Sequence, residues 1–429
     1  MKRRLIAAAA LCLVAASPAW AQESPAAQIE ALRRMVEEAL KQNEELRKRV
    51  LELEEAVSKQ APAAKEPTAP AAPKEPAPAV AAQPPPKPPA VAPAEPISAA
   101  KGPWGKVQIG GAVEVEASSV RGFTGKRQSE FKLTTAEFDF EADIVDWAKA
   151  ELSFEWDSGA DKVTLNEAFI TLMKAGFPVY GKAGRGIAPF GISTGTTVAA
   201  RLEDTLTITG PLTTDVFEIK TDYGLVGIRK WGFHLAGYIF NGTTNDVPGG
   251  GKQLNHYGFA AGYEYKGDPF SAILGVEWVN SVMDATGLVE AFSEFQERGI
   301  NYVPGLSLHA KLGFWGFSLI LEYDTAIHNK RLIRDEQIYN VQPEAWQVEF
   351  GYTTDIFWDF RTYVAVNYST TASLLGAFPK QRLLGVLGVW LADNIRLAAE
   401  YGAEKDYSKV QRGTGAHGDS WIVRLTYEW

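Results

Sequence analysis

The chain is almost devoid of cysteine, poor in histidine, and without a long apolar run beyond its first residues. Its one cysteine, Cys12, lies in an apolar N-terminal stretch that reads as a cleaved leader. The mature chain then has no thiol, which excludes thiolate catalysis and Cys-ligated metal sites. The five histidines, His234, His256, His309, His328 and His417, are too widely separated for the helical or short-loop spacing of a zinc site. No cofactor or metal is expected. Past the leader there is no run of about 18 apolar residues, so no helix is expected to span a membrane. A barrel escapes that test, because its strands show lipid an apolar face only at every second residue. The formal net charge of −9 points away from nucleic acid as a partner.

What is present falls into four segments. Lys2, Arg3 and Arg4 precede an apolar run from Leu5 to Ala16 and then Ala19-Trp20-Ala21, the pattern of a secretory signal peptide over residues 1–21. Residues 22–60 carry heptads: Ile29, Val36, Asn43, Val50 and Val57 at one repeat position, Leu32, Ala39, Leu46 and Leu53 at the other. That spacing predicts a coiled coil of about four heptads. Residues 61–104 are almost wholly Ala, Pro, Lys and Glu, a composition that buries no core and forms an extended tether. The exported coil could thereby approach peptidoglycan or act as a simple spacer.

Residues 105–429 read as strands of about ten residues with alternating faces, joined in turn by tight and long connections. Val107, Ile109, Val113 and Val115 alternate with Gln108, Glu114 and Glu116; Ala150, Leu152, Phe154 and Trp156 alternate with Glu151, Ser153, Glu155 and Asp157. Tight turns are expected near Asp146-Trp147, Ala175-Gly176, Lys230-Trp231-Gly232, Gly267-Asp268, Trp315-Gly316, Ile356-Phe357 and Asp393-Asn394. The longest connection runs from Ala188 to Pro211; it either folds inward and narrows the lumen or packs over the mouth. These divisions predict an all-β transmembrane barrel of about sixteen antiparallel strands, with both termini on the periplasmic side. The last residues, Trp421 to Trp429, put Trp421, Val423, Leu425, Tyr427 and Trp429 on one face of a closing strand. A chain ending on an aromatic there looks like an outer-membrane barrel, with Trp429 presented to the barrel-assembly machinery.

A closed sheet satisfies its backbone hydrogen bonds in lipid, and one of this size encloses water. The inward positions are polar and charged, which a dry core would not tolerate. Glu114, Glu116, Glu137, Asp139, Glu141, Glu151, Glu155 and Asp157 form the expected acidic lining of the first strands. Lys182, Arg185, Arg229, Arg361, Arg382 and Arg396 form the expected basic lining of later ones. Either they set up a transverse field between opposed walls, or they pair along the wall. Arg424 and Glu428 are expected to face the lumen beside Glu114 and Glu116. Trp147, Trp231, Trp315 and Trp358 sit beside tight turns, as in an interfacial aromatic girdle.

Gly191-Ile-Ser193-Thr-Gly195 matches the pattern of a hydrolase elbow, but that motif needs a strand-turn-helix in an α/β fold. The chain is not expected to be an enzyme.

Several segments taken together resemble the LbtU family of siderophore porins. They are Gly110-Gly-Ala-Val-Glu-Val-Glu116, Asn166-Glu-Ala-Phe-Ile-Thr171, Phe177-Pro-Val-Tyr180 leading to Pro189-Phe-Gly191, Tyr238-Ile-Phe-Asn-Gly242, Val303-Pro-Gly-Leu306 with Phe317-Ser-Leu319, and Asp406-Tyr-Ser408. The resemblance implies passage of ferric siderophore through the outer membrane of a Gram-negative bacterium without plug or energy coupling. Pro189-Phe-Gly191 is also similar to the phosphate-selective porin O/P family, whose rows of Arg and Lys have no counterpart in this net acidic lumen. Porins are commonly homotrimers, whereas β-branched residues with Leu in the heptads favour a dimer; the trimer is the expectation here. An envelope-tethering barrel with a peptidoglycan-facing coil is the alternative from another class.

Overall fold

The computed structural model describes residues 97–98, 107–157, 162–193, 195, 197–242, 254–297, 302–334, 336–357 and 360–429. The expected signal peptide and coiled coil, nearly all of the linker, and Trp358 lie outside them.

Sixteen strands close on themselves with every neighbouring pair antiparallel. In chain order they are β1 (Val107–Arg121), β2 (Arg127–Val145), β3 (Ala148–Asp157), β4 (Lys162–Met173), β5 (Val179–Ile187), β6 (Lys220–Lys230), β7 (Phe233–Phe240) and β8 (His256–Lys266). Then come β9 (Phe270–Val279), β10 (Gly305–Phe314), β11 (Phe317–Ala326), β12 (Glu344–Phe357), β13 (Phe360–Ala372), β14 (Gln381–Ala392), β15 (Ile395–Lys405) and β16 (His417–Glu428). Closure pairs β16 with β1, from Ala112 opposite Glu428 to Arg121 opposite Asp419, so the seam lies slightly farther along β1 than the expected Val107 to Val115. No helix among the described residues is long and apolar enough to cross a membrane.

The alternation in sequence decides which side chain faces which way. Leu152, Ile170, Leu172, Val226, Ile228, Leu235, Ile239, Val364, Val366, Leu383, Leu387, Val423 and Leu425 are exposed on the outer face, where lipid replaces water as solvent. Glu114, Glu137, Glu322, Glu349 and Glu400 on the opposite face are buried. Two of the tight turns use Trp-Gly pairs in which both residues have positive φ: Trp231 (56°) with Gly232 (83°), and Trp315 (46°) with Gly316 (83°). This backbone follows the twist of a two-residue hairpin. Both tryptophans remain largely exposed.

Two bulges shift the ladder near the seam. Ser153 pairs with Glu167 and Phe154 with Leu165, leaving Asn166 as the extra residue of β4. Glu114 pairs with Thr135 and Val115 with Leu133, leaving Thr134 as the extra residue of β2.

Residues 188–219, between β5 and β6, hold two short helices, α1 (Val198–Asp204) and α2 (Leu212–Phe217). Thr197 caps α1, its side-chain oxygen accepting from the amide of Ala200 at 3.2 Å. A third helix, α3 (Thr286–Ala291), lies in the connection from β9 to β10, and the Thr286 amide donates to the Glu218 carbonyl at 2.9 Å. An apolar cluster joins these loops to the inner face of β6 and β7: Phe190, Phe217, Val282 and Leu288 with Tyr223, Leu225, Tyr238 and Phe240.

Candidate functional site

The segment 188–219 folds inward and is fastened to widely separated strands. Its backbone amides supply donors and the wall supplies carboxylates. Ile192 donates to Glu322 of β11 at 2.6 Å, Val198 to both oxygens of Glu137 of β2 at 3.2 Å, and Leu206 to Glu349 of β12 at 2.8 Å. Ile208 donates to Glu400 of β15 at 2.6 Å, with Thr209 on the same carboxylate at 3.1 Å. Irregular backbone in a barrel must find acceptors for its amides; inward Glu residues provide them. Thr213 adds its hydroxyl to Glu322. Arg382 of β14 ties down the far end, donating to the Gly210 carbonyl at 2.7 Å and to Asp215 at 2.6 Å.

Beside the segment a polar cavity of about 340 Å³ remains. Its basic lining is Arg201, Lys220, Arg396 and Arg424; its acidic lining includes Glu114, Glu155 and Glu218. Near the seam, Arg424 donates to Glu116 at 2.5 Å and to Glu114 at 3.3 Å. Glu114 also takes the hydroxyls of Thr135 and Thr426, at 2.9 and 3.2 Å, and Arg201 of α1 at 3.4 Å. Burial pushes the Glu218 carboxyl above the ordinary carboxylate range, although Lys220 and the Ser193 hydroxyl pull the other way.

The acidic positions of the first strands occupy the inner face. Glu114 and Glu116 sit at the seam, and Glu137 holds α1 with Asp139 beside it. Glu141 pairs with Lys149, Glu151 lies near Lys182, and Glu155 lines the cavity. The side chain of Asp157 lies outside the described residues. Among the basic positions, Lys182 stands 3.4 Å from the Phe169 ring centre, Arg229 is 5.8 Å from that of Tyr180, and Arg361 is 4.5 Å from that of Trp390. Arg382 holds the segment, and Arg396 lines the cavity.

Arg185 is a correction. It shares the face of Ala168 and Asp222, its partners across the ladder, opposite to the face of Lys182. It forms an exposed ion pair with Asp222 at 2.7 Å on the outside of the barrel. Positions three apart on a regular strand face opposite sides, so Lys182 and Arg185 do not both point inward.

Nor do the cations stand across the lumen from the acids. Closure makes β14, β15 and β16 neighbours of β1, so Arg382, Arg396 and Arg424 flank the acidic patch. The wall half-way round, β9 to β11, is itself acidic, with Glu277, Glu322 and Asp324 buried there. The arrangement is interleaved.

Glu322, Glu349 and Glu400, which hold the segment, are absent from the residues singled out by sequence. The signal was there in the alternation of Leu319 and Leu321 with Ser318, Glu322 and Asp324. Charge clustering, which drew attention to the first strands, passes over carboxylates spaced one per strand. Among the described residues no group of His, Cys, Asp and Glu is arranged to hold a metal ion. The Gly191-Ile-Ser193-Thr-Gly195 pattern falls at the start of the inward segment, where the Ser193 hydroxyl lies 3.4 Å from Glu218 and, among the described residues, no strand-turn-helix elbow forms.

No family model matches the chain. It is 24% identical over 332 residues to a UPF0422 protein of Coxiella burnetii, covering 73% of this chain and 67% of that one. It is 22% identical over 315 residues to a UPF0422 protein of Legionella pneumophila strain Paris, covering 67% of this chain and 56% of the relative. Among solved structures it is similar to an outer membrane channel, DcaP, of Acinetobacter baumannii (TM-score 0.52, 13% identity, 78% of this chain and 100% of that one). It is also similar to an anion-selective porin from Comamonas acidovorans (0.51, 11%, 75% and 99%) and to Salmonella typhi OmpF in complex with daunomycin (0.51, 13%, 76% and 98%). The fold is therefore that of outer-membrane porins and channels.

Proposed function

We propose that this chain is a passive pore of the Gram-negative outer membrane, that small polar solutes pass beside the inward segment, and that ferric siderophore is the solute. The observation that carries the pore reading is the segment 188–219 held across the lumen by Glu137, Glu322, Glu349 and Glu400, with a charged cavity left open beside it. A wall-bound segment that narrows a barrel sets a size limit, and charged groups at the narrowing set charge preference. The siderophore assignment rests on the resemblance of the barrel segments quoted above. In this reading the lining comprises the acidic residues Glu114 to Glu155 together with Lys182, Arg229, Arg361, Arg382 and Arg396. The N-terminal coil stands in the periplasm, the assembly is a homotrimer, and Trp429 meets the barrel-assembly machinery.

Conductance of the purified protein in planar bilayers tests the pore. Discrete open-channel steps are expected, and their absence would leave an anchoring barrel. Uptake of labelled ferric siderophore by an iron-starved deletion strain, with and without the restored chain, tests the solute. Equal uptake in both strains would reduce the reading to a general porin.

A further inference from the structure

On four neighbouring strands at the seam, the outward face changes character toward the end that carries the long connections. Along β16 the outward side chains run Leu425, Val423, Trp421 and then Asp419; along β15 they run Leu397, Tyr401 and then Lys405. On β1, Val115 and Ala117 give way to Ser119 and Arg121, and on β2 Phe131 gives way to Ser129 and Arg127. Trp421 and Tyr401 lie ring against ring, their centroids 4.7 Å apart. Aromatic residues on the outside of a barrel mark the level where hydrocarbon ends and headgroups begin. The charged positions come just beyond that level.

Arg121 stands directly opposite Arg127 across one ladder and opposite Asp419 across the other. Like charges so placed repel, and Asp419 offsets part of this by pairing with both guanidiniums. The three side chains differ in accessibility: Asp419 is 11% exposed, whereas Arg121 and Arg127 are 49% and 44% exposed. The carboxylate is the clamp beneath, and the surface turned outward is two guanidiniums held side by side. The Ser119 hydroxyl accepts from Arg127 at 3.1 Å and from Ser129 at 3.0 Å, which positions the second guanidinium further. Each guanidinium carries five N–H donors, so one carboxylate and one hydroxyl do not exhaust them. Lys405, opposite His417 and Gln381 on the same outer face, adds a third cation.

We infer that this rim patch is a docking site for the phosphate of a membrane-lipid headgroup in the leaflet on the side of the long connections. A phosphate oxygen pair matches the guanidinium fork, and two adjacent forks hold one phosphate from two directions. The acyl chains below such a headgroup have a wall to lie on, since Phe131, Val423 and Leu425 are exposed next along the same strands. That continuity of cationic rim and apolar wall favours a lipid over a free anion, which has nothing to place against the wall. The site lies on the outside of the barrel, so it goes beyond the pore reading and does not depend on what the lumen conducts.

The test adds phosphatidic acid to the purified full-length protein in a neutral detergent and follows bound lipid by native mass spectrometry. Diacylglycerol with the same acyl chains is the arm without phosphate, and inorganic phosphate is the arm without chains. A discrete phosphatidic acid adduct is expected, stronger than either other arm gives. Arg121→Gln and Arg127→Gln each leave Asp419 one arginine, and each is expected to weaken the adduct about tenfold, the effect of losing one hydrogen bond to a charged group. Arg121→Lys keeps the charge without the fork and is expected to fall between. Lys230→Gln removes an exposed cation at the tight-turn end and is expected to leave the adduct as it is in the parent. Absence of an adduct overturns the proposal, as does an equal adduct with diacylglycerol, full strength in both glutamine variants, or equal weakening in Lys230→Gln. Inorganic phosphate that binds and displaces the lipid would make the patch a free-anion site and overturns the lipid assignment.

Discussion

The two sides of this lumen are built from the same strand pattern and end in opposite states. On the side of β6 and β7 the inward positions are Tyr223, Leu225, Ala236, Tyr238 and Phe240, and they are packed against Phe190, Phe217, Val282 and Leu288 from the loops. On the side of the seam the inward positions are Glu114, Glu116, Arg396, Arg424 and Thr426, and a cavity of about 340 Å³ persists. Alternation tells a strand which face is inner. It does not tell whether the inner face will be wet, since that depends on whether a loop carries matching apolar residues inward. Here one segment does both. Phe190 and Phe217 fill one side, while amides from Ile192 to Thr209 hang from glutamates around the ring.

The comparison is broken most severely by emptying the filled side. Phe217 is 1% exposed, and Phe217→Ala is expected to destabilise the seated segment by about 3–5 kcal/mol. The strands themselves should survive, so circular dichroism is expected to stay close to that of the parent while open-channel current becomes larger and noisier. A channel as quiet as the parent's would show that the apolar cluster does not hold the segment. Next comes the fastening. Glu322→Leu strands the Ile192 amide, the Thr213 hydroxyl and the Gln347 amide, at about 1–3 kcal/mol for each donor left buried. Water entering beneath the segment will offset part of that. Higher single-channel conductance is expected, and an unchanged value would mean that the remaining glutamates suffice.

Much of this was legible in the sequence because barrels obey local rules. Strand number, tight turns at Trp231-Gly232 and Trp315-Gly316, and the inward Glu114 and Glu116 follow from period-two alternation and turn chemistry. The facing of Arg424 toward Glu116 was legible too, since closure must join the last strand to the first. Two things were not. The direction of the segment 188–219 depends on tertiary partners three or more strands away, with nothing local to announce them. Glu322, Glu349 and Glu400 are isolated in sequence and become a set only around the ring. The opposed acidic and basic walls and the inward Arg185 failed for a different reason: the closure that puts β14 to β16 beside β1, and the parity that separates Arg185 from Lys182, were available in the sequence itself.

On the open side, Arg424→Gln removes the charge nearest Glu116 and Glu114. The lost charged hydrogen bonds weaken the seam by about 1.5–3 kcal/mol. The main reading is electrical: the reversal potential in a salt gradient is expected to move toward the cation. If it does not move, the seam carboxylates lie off the conducting path and the wet side has been placed wrongly.

The smallest expected effect comes from Glu218, which stands where the two sides meet, at the end of α2. Burial raises its carboxyl, so between the ordinary and the raised value the seated segment binds the proton more readily than a released, hydrated one. Its contribution to seating is full below the ordinary Glu range, about 4.3, and is lost as pH rises through the raised value. One such group changes the seating free energy by at most about 1.4 kcal/mol per pH unit. Channel noise is therefore expected to increase from pH 5 to pH 8 in the parent. In Glu218→Gln, which keeps an acceptor for the Ser193 hydroxyl but carries no charge, the increase should flatten. A pH dependence that survives this change intact would move the titrating group to the wall carboxylates. Seating would then be governed by the glutamates around the ring rather than by the segment's own charge.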